Sequence, residues 1–367
     1  MLSSLQDLNW RSFLARPQLP PPPPQALAAL AQQAILITGA GGSIGSALAL
    51  RLGSLTPPEL VLLEASESNL YALERDWEAV GAACSMTPIL GSVADEALLE
   101  EIFSAHAPRI VFHAAAFKQV PLMEQQPLAA IKNNIFATEA LTRTAAAHGA
   151  RVVLLSTDKA VAPSSVMGAT KRVAEQIVLA SGGTALRLGN VLASRDSVAQ
   201  VFEREIAQGS PATVTDPAAR RYFLTLDEAV NLLLNAASYP EPGTLLAPVL
   251  PAMHSIQDLA RFMAHELRPE REIGLKITGN RPGDKASEDL WSAAERTHAT
   301  SLDGMVAVET PLLPKAQLER LLASLRATLD SRNIDAALTA LRALVPDYTP
   351  SRAVLALAER CGSTVCL

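Results

Sequence analysis

The sequence predicts an α/β chain built on a doubly wound parallel sheet, with a smaller lobe in its C-terminal part. Three observations predict it. From Ala34 onward, apolar runs of strand length alternate with segments of helical period, the pattern of repeated βαβ units. Runs such as LVLL at 60–63 and IVF at 110–112 lack polar alternation, which suits strands buried on both faces. The first of these runs leads directly into a glycine cluster that opens a helix.

Composition sets the limits. The chain has 367 residues, enough for one large domain and an added lobe. Hydrophobic residues make up 49% but aromatics only 4%, so Ala, Leu, Val and Ile must build the core. The net charge is −6 and no Lys/Arg block occurs, which speaks against nucleic-acid binding. Cys84, Cys361 and Cys366 are too few and too irregularly spaced for a disulfide framework or a zinc site. The six histidines show no ligand spacing, so no metal is expected. The N-terminus lacks the basic-then-apolar order of a secretory signal. No apolar run reaches the roughly 18–20 residues that span a bilayer. A cytoplasmic protein is the expectation.

Taken in order, residues 1–33 form an arm. Leu2, Leu5, Leu8, Trp10, Phe13 and Leu14 suggest a short amphipathic helix, and the prolines at 20–24 a stiff spacer. The arm is expected to pack on the fold, the alternative being a peripheral contact with a partner or membrane surface. Residues 34–192 carry strands at 34–38, 60–64, 87–90, 109–113, 151–156 and 184–188. Helices start at 43 and occupy 67–80, 96–105, 128–147 and 166–180. Residues 193–367 hold more proline and longer connections, which predicts mainly a substrate lobe, with part of 220–250 packing back on the core.

The first strand ends in Thr38-Gly39-Ala40-Gly41-Gly42-Ser43-Ile44-Gly45. At such a junction one glycine permits the tight turn, a second lets backbone N–H groups approach a pyrophosphate, and a third lets the helix pack on the strand. The helix N-terminus adds partial positive charge. Gly39, Gly41, Gly42, Ser43, Ile44 and Gly45 are therefore expected to cradle a dinucleotide in a Rossmann-like domain. Glu64 closes the second strand at about the expected 20-residue spacing. Its carboxylate would accept from a ribose 2′-hydroxyl and repel a 2′-phosphate, favouring NAD over NADP.

The fifth strand runs into Ser156-Thr157-Asp158-Lys159, followed by Val166-Met167-Gly168-Ala169-Thr170-Lys171. Strand ends in an open parallel sheet face the ligand crevice, so a hydroxyl, a carboxylate and an amine there can meet a substrate. Met167 and Lys171 are one helical turn apart and point the same way. Taken alone, these residues also read as surface charge beside a buried Met.

The stretches ITGAGGSIGS, FHAAAFKQVPLME, LLSTDKAVAPSSVMGATKRVAE, RLGNVL, RRYFLT and RPGDK make a more specific pattern. In order, they resemble the bacterial polysaccharide-biosynthesis nucleotide-sugar 4,6-dehydratases of the extended short-chain dehydrogenase type. The resemblance runs from about Ala34 to Lys285 and more weakly to Tyr348. Most of that superfamily carries Tyr four residues before the catalytic Lys. Here Met167 stands there, and none of the four tyrosines precedes a Lys by four. The Met form resembles a subgroup usually fused to a transmembrane region and acting on UDP-N-acetylglucosamine.

The resemblance implies a reaction and a set of roles. Hydride leaves sugar C4 for NAD, water is lost across C5–C6, and hydride returns to C6, giving a 4-keto-6-deoxy sugar nucleotide. Asp158 is the acid, Lys159 the base at C5, Thr157 the partner of the C4 hydroxyl, and Lys171 the holder of the nicotinamide ribose. Met167 cannot accept a proton. The chemistry asks for a protonated carboxyl and a neutral amine, states that burial favours. Ser92, Val93, Ala114 and Ala115 join the cofactor contacts. Lys118 reaches the sugar or its phosphates, and Asn134, counted with the substrate residues, matches a helix Asn that orients the strand backbone near the active site, a purely structural role being equally open. Asn190, Arg221 and Arg281 contact the diphosphate or uridine, where a planar guanidinium suits phosphate oxygens. Relatives pair through helices like 128–147 and 166–180, which implies a homo-oligomer. His113 is read as packing.

The sequence also departs from the pattern: Ser92 for an Asp, Ala137 for a Gly, Phe117 and Gln119 for Tyr and His, Ser194-Arg195-Asp196 for a small run, and Ala286-Ser287 for Leu-Tyr. Two other readings stay open, a nucleotide-sugar 4-epimerase and a non-catalytic NAD-binding regulator.

Overall fold

The computed structural model describes residues 5, 8–81 and 84–361. The expected strands are present as β1 (Ala34–Thr38), β2 (Glu59–Glu64), β3 (Thr87–Leu90), β4 (Ile110–His113), β5 (Arg151–Thr157) and β6 (Thr184–Leu188). They lie in the order β3-β2-β1-β4-β5-β6 and all run parallel. The chain winds outward from β1 to β3, then crosses to β4 on the other side of β1. That reversal opens a crevice at the C-terminal ends of β1 and β4, where such sheets bind ligands. Ile35, Leu36 and Ile37 have no exposed surface, because helices cover both faces of the sheet. This is why the strands show no alternation in sequence.

The C-terminal half contributes more of the sheet than its sequence pattern suggests. Leu245–Pro248 pairs parallel with β6, and Met305–Glu309 and Arg296–Ala299 follow it antiparallel. Among the described residues the sheet has nine strands. The outermost segment, RTHA, is exposed throughout and so carries no apolar signature. A separate apolar cluster makes the smaller lobe, with Phe202, Ile206, Leu259 and Met263 from helices Val198–Ala207 and Ile256–Leu267 at its centre.

The N-terminal arm is part of this architecture. Its helix is short, Trp10–Leu14. Leu5, Leu8, Phe13 and Leu14 are buried in the small lobe's cluster, while Leu19 and Leu30 enter the main core. The Phe13 ring lies 5.8 Å from that of Phe223 and 5.3 Å from that of Phe262. Arg16 forms an ion pair at 2.6 Å with the buried Glu228. These apolar side chains pack internally, as the packing reading of the arm expects; Leu2 lies outside the described residues. Pro23 is extended (φ −62, ψ 149) and Pro24 opens the helix Pro24–Leu30, a position where a missing N–H is harmless.

Two further differences concern helices. The expected helix at 128–147 contains a π segment, Lys132–Phe136, between Pro127–Ile131 and Ala137–Ala147. A π turn shifts the register by one residue, too little to disturb the helical period in sequence. Val166–Ala180 is helical as expected, but every residue from Val166 to Leu179 is buried. Helices Lys315–Asp330, Ile334–Leu344 and Arg352–Cys361 cover that side, with Leu318, Leu322, Leu338 and Leu341 in one cluster with Val173 and Ile177. The face through which subunit pairing is expected is thus occupied by the chain itself. Among the described residues no helix is long and apolar enough to cross a membrane. Cys84 is a free, half-buried thiol; the Cys361 side chain and Cys366 lie outside the described residues.

Candidate active site

A cleft of about 580 Å³ opens at the C-terminal edge of the sheet. Its floor is the glycine loop. Gly39 has φ +67, and a Cβ there would sit 2.6 Å from the Ala115 nitrogen, so only glycine lets β1 turn this close to the end of β4. The first ladder bond of helix Ser43–Gly53 is Ser46 N to Gly42 O. This leaves the N–H groups of Ser43, Ile44 and Gly45 at a helix N-terminus, oriented for an anion. Gly39, Gly42, Ser43, Ile44, Gly45, Glu64, Ser92, Val93, Ala114 and Ala115 line the cleft.

Gly41 does not. Its N–H donates to Glu64 Oε2 at 2.9 Å, and Ser66 N donates to Glu64 Oε1 at 2.9 Å. Glu64 therefore clamps the glycine loop, in addition to facing the cleft. The expected cradle role of Gly41 is corrected: its N–H is committed to Glu64.

The opposite rim is built by β5. It ends at Thr157 in a 3₁₀ turn, Asp158–Ala160, before Ser165 caps helix Val166–Ala180 by accepting from Gly168 N. A Cβ on Gly168 would lie 2.1 Å from Lys159 O, so glycine here lets the helix press against the turn. Thr157, Lys159, Met167 and Lys171 line the cleft together. Lys159 Nζ donates to Asp158 Oδ1 at 2.9 Å and to Asn190 Oδ1 at 3.2 Å. Thr157 Oγ1 donates to the same Asp158 oxygen at 2.9 Å. Asp158 itself has no exposed surface and does not line the cleft, and its Oδ2 has no partner among the described residues.

Lys171 is buried, with no hydrogen-bonding partner for its ammonium among the described residues. Burial brings its pKa down to about 8, with Glu175 opposing. His113 lies between Thr38 Oγ1 (2.7 Å) and Thr138 Oγ1 (2.9 Å). Burial, with Lys171 adding to it, holds the imidazole down to about 3. His113 is a neutral packing group with both nitrogens engaged.

Behind this rim lies a buried charge network. Glu175 accepts from Ser156 Oγ (2.6 Å) and Arg187 Nε (2.9 Å), and Arg187 pairs with Glu295 at 2.8 Å. The network ties helix Val166–Ala180 to β5, β6 and the far edge of the sheet. Closer to the turn, Lys285 Nζ donates to Val161 O at 2.7 Å and lies 3.1 Å from the buried Glu288. Burial pushes the Glu288 carboxyl up, Lys159 opposing and Asp158 reinforcing.

The expected substrate residues divide. Lys118, Asn190 and Arg281 line the cleft. Lys118 Nζ donates to Arg195 O at 2.6 Å, and Arg281 pairs with Asp284 at 3.0 Å. Asn134 and Arg221 do not line it. Asn134 accepts from Phe117 N (2.8 Å) and donates to Phe117 O (3.0 Å) and Thr170 Oγ1 (3.0 Å), fixing the turn that carries Lys118. Arg221 donates to the carbonyls of Arg220, Ala286 and Lys285 at 2.7–2.9 Å. Both are corrected from ligand contacts to supports for the residues that do line the cleft. Asn69, Asn133 and Ser197 line it unanticipated, and Phe117, Gln119 and Arg195, three of the departures from the family pattern, line it as well. Among the described residues no cluster of His, Cys, Asp and Glu could hold a metal.

A family model described as polysaccharide biosynthesis protein matches residues 35–310. The capsular polysaccharide biosynthesis protein CapD of Staphylococcus aureus is 37% identical over 276 residues, 72% of this chain and 46% of its own length. The chain thus spans about half the length of that relative. A UDP-glucose 4-epimerase of Rickettsia rickettsii is 33% identical over 280 residues, 73% of this chain and 80% of its own. Among solved structures, Pen from Bacillus thuringiensis superposes with a TM-score of 0.70 at 27% identity, over 77% of this chain and 91% of that one. The matched region holds the glycine loop, the Thr157–Lys171 rim and the cleft between them, and on that extent the chain belongs to the polysaccharide biosynthesis protein family.

Proposed function

We propose that this chain is an NAD-dependent 4,6-dehydratase of a UDP-N-acetylhexosamine, with UDP-N-acetylglucosamine as the first substrate to test, supplying a 4-keto-6-deoxy sugar nucleotide for surface polysaccharide or glycan synthesis. The observation that carries this reading is the Lys159–Asp158 pair, 2.9 Å apart at the rim of a dinucleotide-sized cleft. Met167 stands beside it where a proton-accepting phenol would serve simple oxidation or epimerisation.

The cleft suits the cofactor. Gly39 supplies the tight turn, the free N–H groups of Ser43, Ile44 and Gly45 suit a pyrophosphate, Glu64 suits an unphosphorylated ribose, and Lys171 suits the nicotinamide ribose. When bound, NAD supplies a hydride acceptor for C4 and a hydride donor for C6.

Elimination across C5–C6 needs a base at C5 and an acid at the departing C6 hydroxyl. As an ion pair, Lys159 and Asp158 serve neither purpose. Moving one proton from Nζ to Oδ1 along their hydrogen bond makes a neutral amine and a carboxylic acid at once, with no change in net charge. Lys159 faces the cleft, takes the C5 proton and returns one to C5 when hydride reaches C6; the proton that the C4 hydroxyl releases with its hydride passes to water in the open cleft, and one re-enters from that water to restore the pair's shared proton. Asp158 has no surface of its own, so its proton reaches the C6 oxygen through the Thr157 hydroxyl, which already bonds to Oδ1. Asn190 holds the amine in place.

The test is to incubate the purified protein with a panel of UDP-sugars and follow intact mass. Loss of one water from a UDP-N-acetylhexosamine supports the reading; an unchanged mass for every sugar, with NAD bound, removes it. Likeness to the Rickettsia 4-epimerase favours a second reading, 4-epimerisation. That reaction conserves mass and gives the C4 epimer, which chromatography resolves.

A further inference from the structure

The segment 193–197 crosses from the small lobe over the glycine loop. Its hydrogen bonds across the cleft run from Arg195 and Asp196. Arg195 N donates to Ser43 Oγ at 2.8 Å. Arg195 Nη1 donates to Gly41 O at 2.7 Å and to Asn69 Oδ1 at 2.9 Å. From the third side, Lys118 Nζ donates to Arg195 O at 2.6 Å and Gln119 Nε2 to Asp196 O at 3.4 Å. Ser43, Asn69, Lys118, Arg195 and Asp196 all line the cleft.

We propose that Arg195 is a latch: it fastens the 193–197 strap across the pyrophosphate end of the cleft, and a dinucleotide enters or leaves only after Arg195 releases Gly41 and Asn69. The bonds it makes are of the right kind. All are polar, half-exposed and made to a neighbouring segment, so they open without disturbing either core. The strap also has its own pivots. Ala193 (φ 58) and Asp196 (φ 56) hold left-handed backbone without being glycine, a conformation sustained by its surroundings. Arg195 suits the task because one planar guanidinium grips two acceptors. Its Nε and Nη2 make no hydrogen bond among the described residues, so donors remain for a phosphate oxygen once the cleft is filled. Gating of this sort makes cofactor exchange, rather than affinity alone, a property of the lid.

The latch rests on the dinucleotide reading of the cleft, and the experiment separates the two. Association and release of NAD are measured by a chase with labelled NAD for the wild type, Arg195→Ala and Asn69→Ala. A latch slows passage both ways, so both rates should rise in both variants. Release should rise by about tenfold or more in Arg195→Ala, the scale of losing a hydrogen bond from a charged donor, and by less in Asn69→Ala. Release that rises without association makes Arg195 a cofactor contact only and overturns the latch, as do unchanged rates. If the wild type takes up no NAD, the dinucleotide reading falls on its own. The latch is then read from amide hydrogen exchange of residues 193–197 in the ligand-free protein. Faster exchange in Asn69→Ala and Arg195→Ala supports it, and exchange equal to wild type overturns it.

Discussion

On the β5 side of the cleft, Asp158, Lys171, Glu175 and Arg187 are buried, and the Glu175–Arg187 ion pair at 2.9 Å locks the helix that carries Met167 and Lys171 to β6, with Arg187 also pairing Glu295 at 2.8 Å. Elsewhere around the cleft, Lys118, Arg195 and Arg281 are held by bonds to backbone carbonyls, to the Asn69 amide or by a single exposed ion pair. The two walls differ in what a change would disturb. Removing one partner of a buried pair leaves an uncompensated charge, about 3–5 kcal/mol, whereas exposed pairs contribute about 0–1 kcal/mol. On the proposed reading, proton transfer sits among the buried groups and recognition among the exposed ones. This gives the proposed chemistry a fixed geometry while leaving the ligand-facing side adjustable.

The contrast can be broken or sharpened, beginning with the largest effect. Lys159→Met should lower turnover by about 10³-fold or more, within the range of positioned proton transfer, while NAD content stays that of wild type. A loss of NAD in step with turnover would mean that Lys159 holds the cofactor rather than acting as base. Next, Arg187→Ala strands Glu175 and Glu295 in the core and should destabilise the protein by about 3–5 kcal/mol in urea unfolding. Stability unchanged within error would show that the rigid wall is not held by its charges. On the other wall, Arg281→Ala should raise KM by about tenfold with kcat kept, the signature of lost uniform binding. A fall in kcat instead would place Arg281 in the chemistry.

The smallest effect is a pair of opposed pH trends. Burial lowers Lys171 from 10.5 to about 8 in the folded chain. Between those values the unfolded chain binds the proton and the folded one does not. The ligand-free protein should therefore gain stability from this group as pH rises from about 8 to 10.5. NAD affinity should fall over the same rise, because the ammonium proposed to hold the ribose is lost. Calorimetry on the wild type and Lys171→Met checks both; a wild-type pH dependence that persists in Lys171→Met would exclude Lys171 as its source.

What could be seen in the sequence follows from how local each feature is. The cofactor loop and the Thr157–Lys171 rim are contiguous stretches, and their spacing alone sets which residues meet. The strands β1, β2, β4, β5 and β6 were legible because burial writes itself as apolar runs; β3, half-buried and exposed by turns, was placed by its position between two helices. Other features depend on partners far away in the chain. Arg195 reaches Gly41 across 154 positions, and Arg221 reaches Lys285 across 64. Nothing near either arginine tells which one faces the cleft and which supports a loop. Glu64 is similar: its place at a strand end was readable, but not its bond to Gly41 N. The strands Leu245–Pro248 and Arg296–Ala299 lack a pattern because they are short, and the latter is exposed on every residue. The arm was ambiguous because an amphipathic segment looks the same whether it meets its own core or another surface.

The central claim, that one shared proton makes Lys159 and Asp158 base and acid together, is tested most directly by turnover in heavy water. UDP-N-acetylglucosamine should yield a product lighter by one water and carrying one solvent deuterium on carbon at C5. A product of unchanged mass with no deuterium on carbon, and inverted at C4, would contradict it.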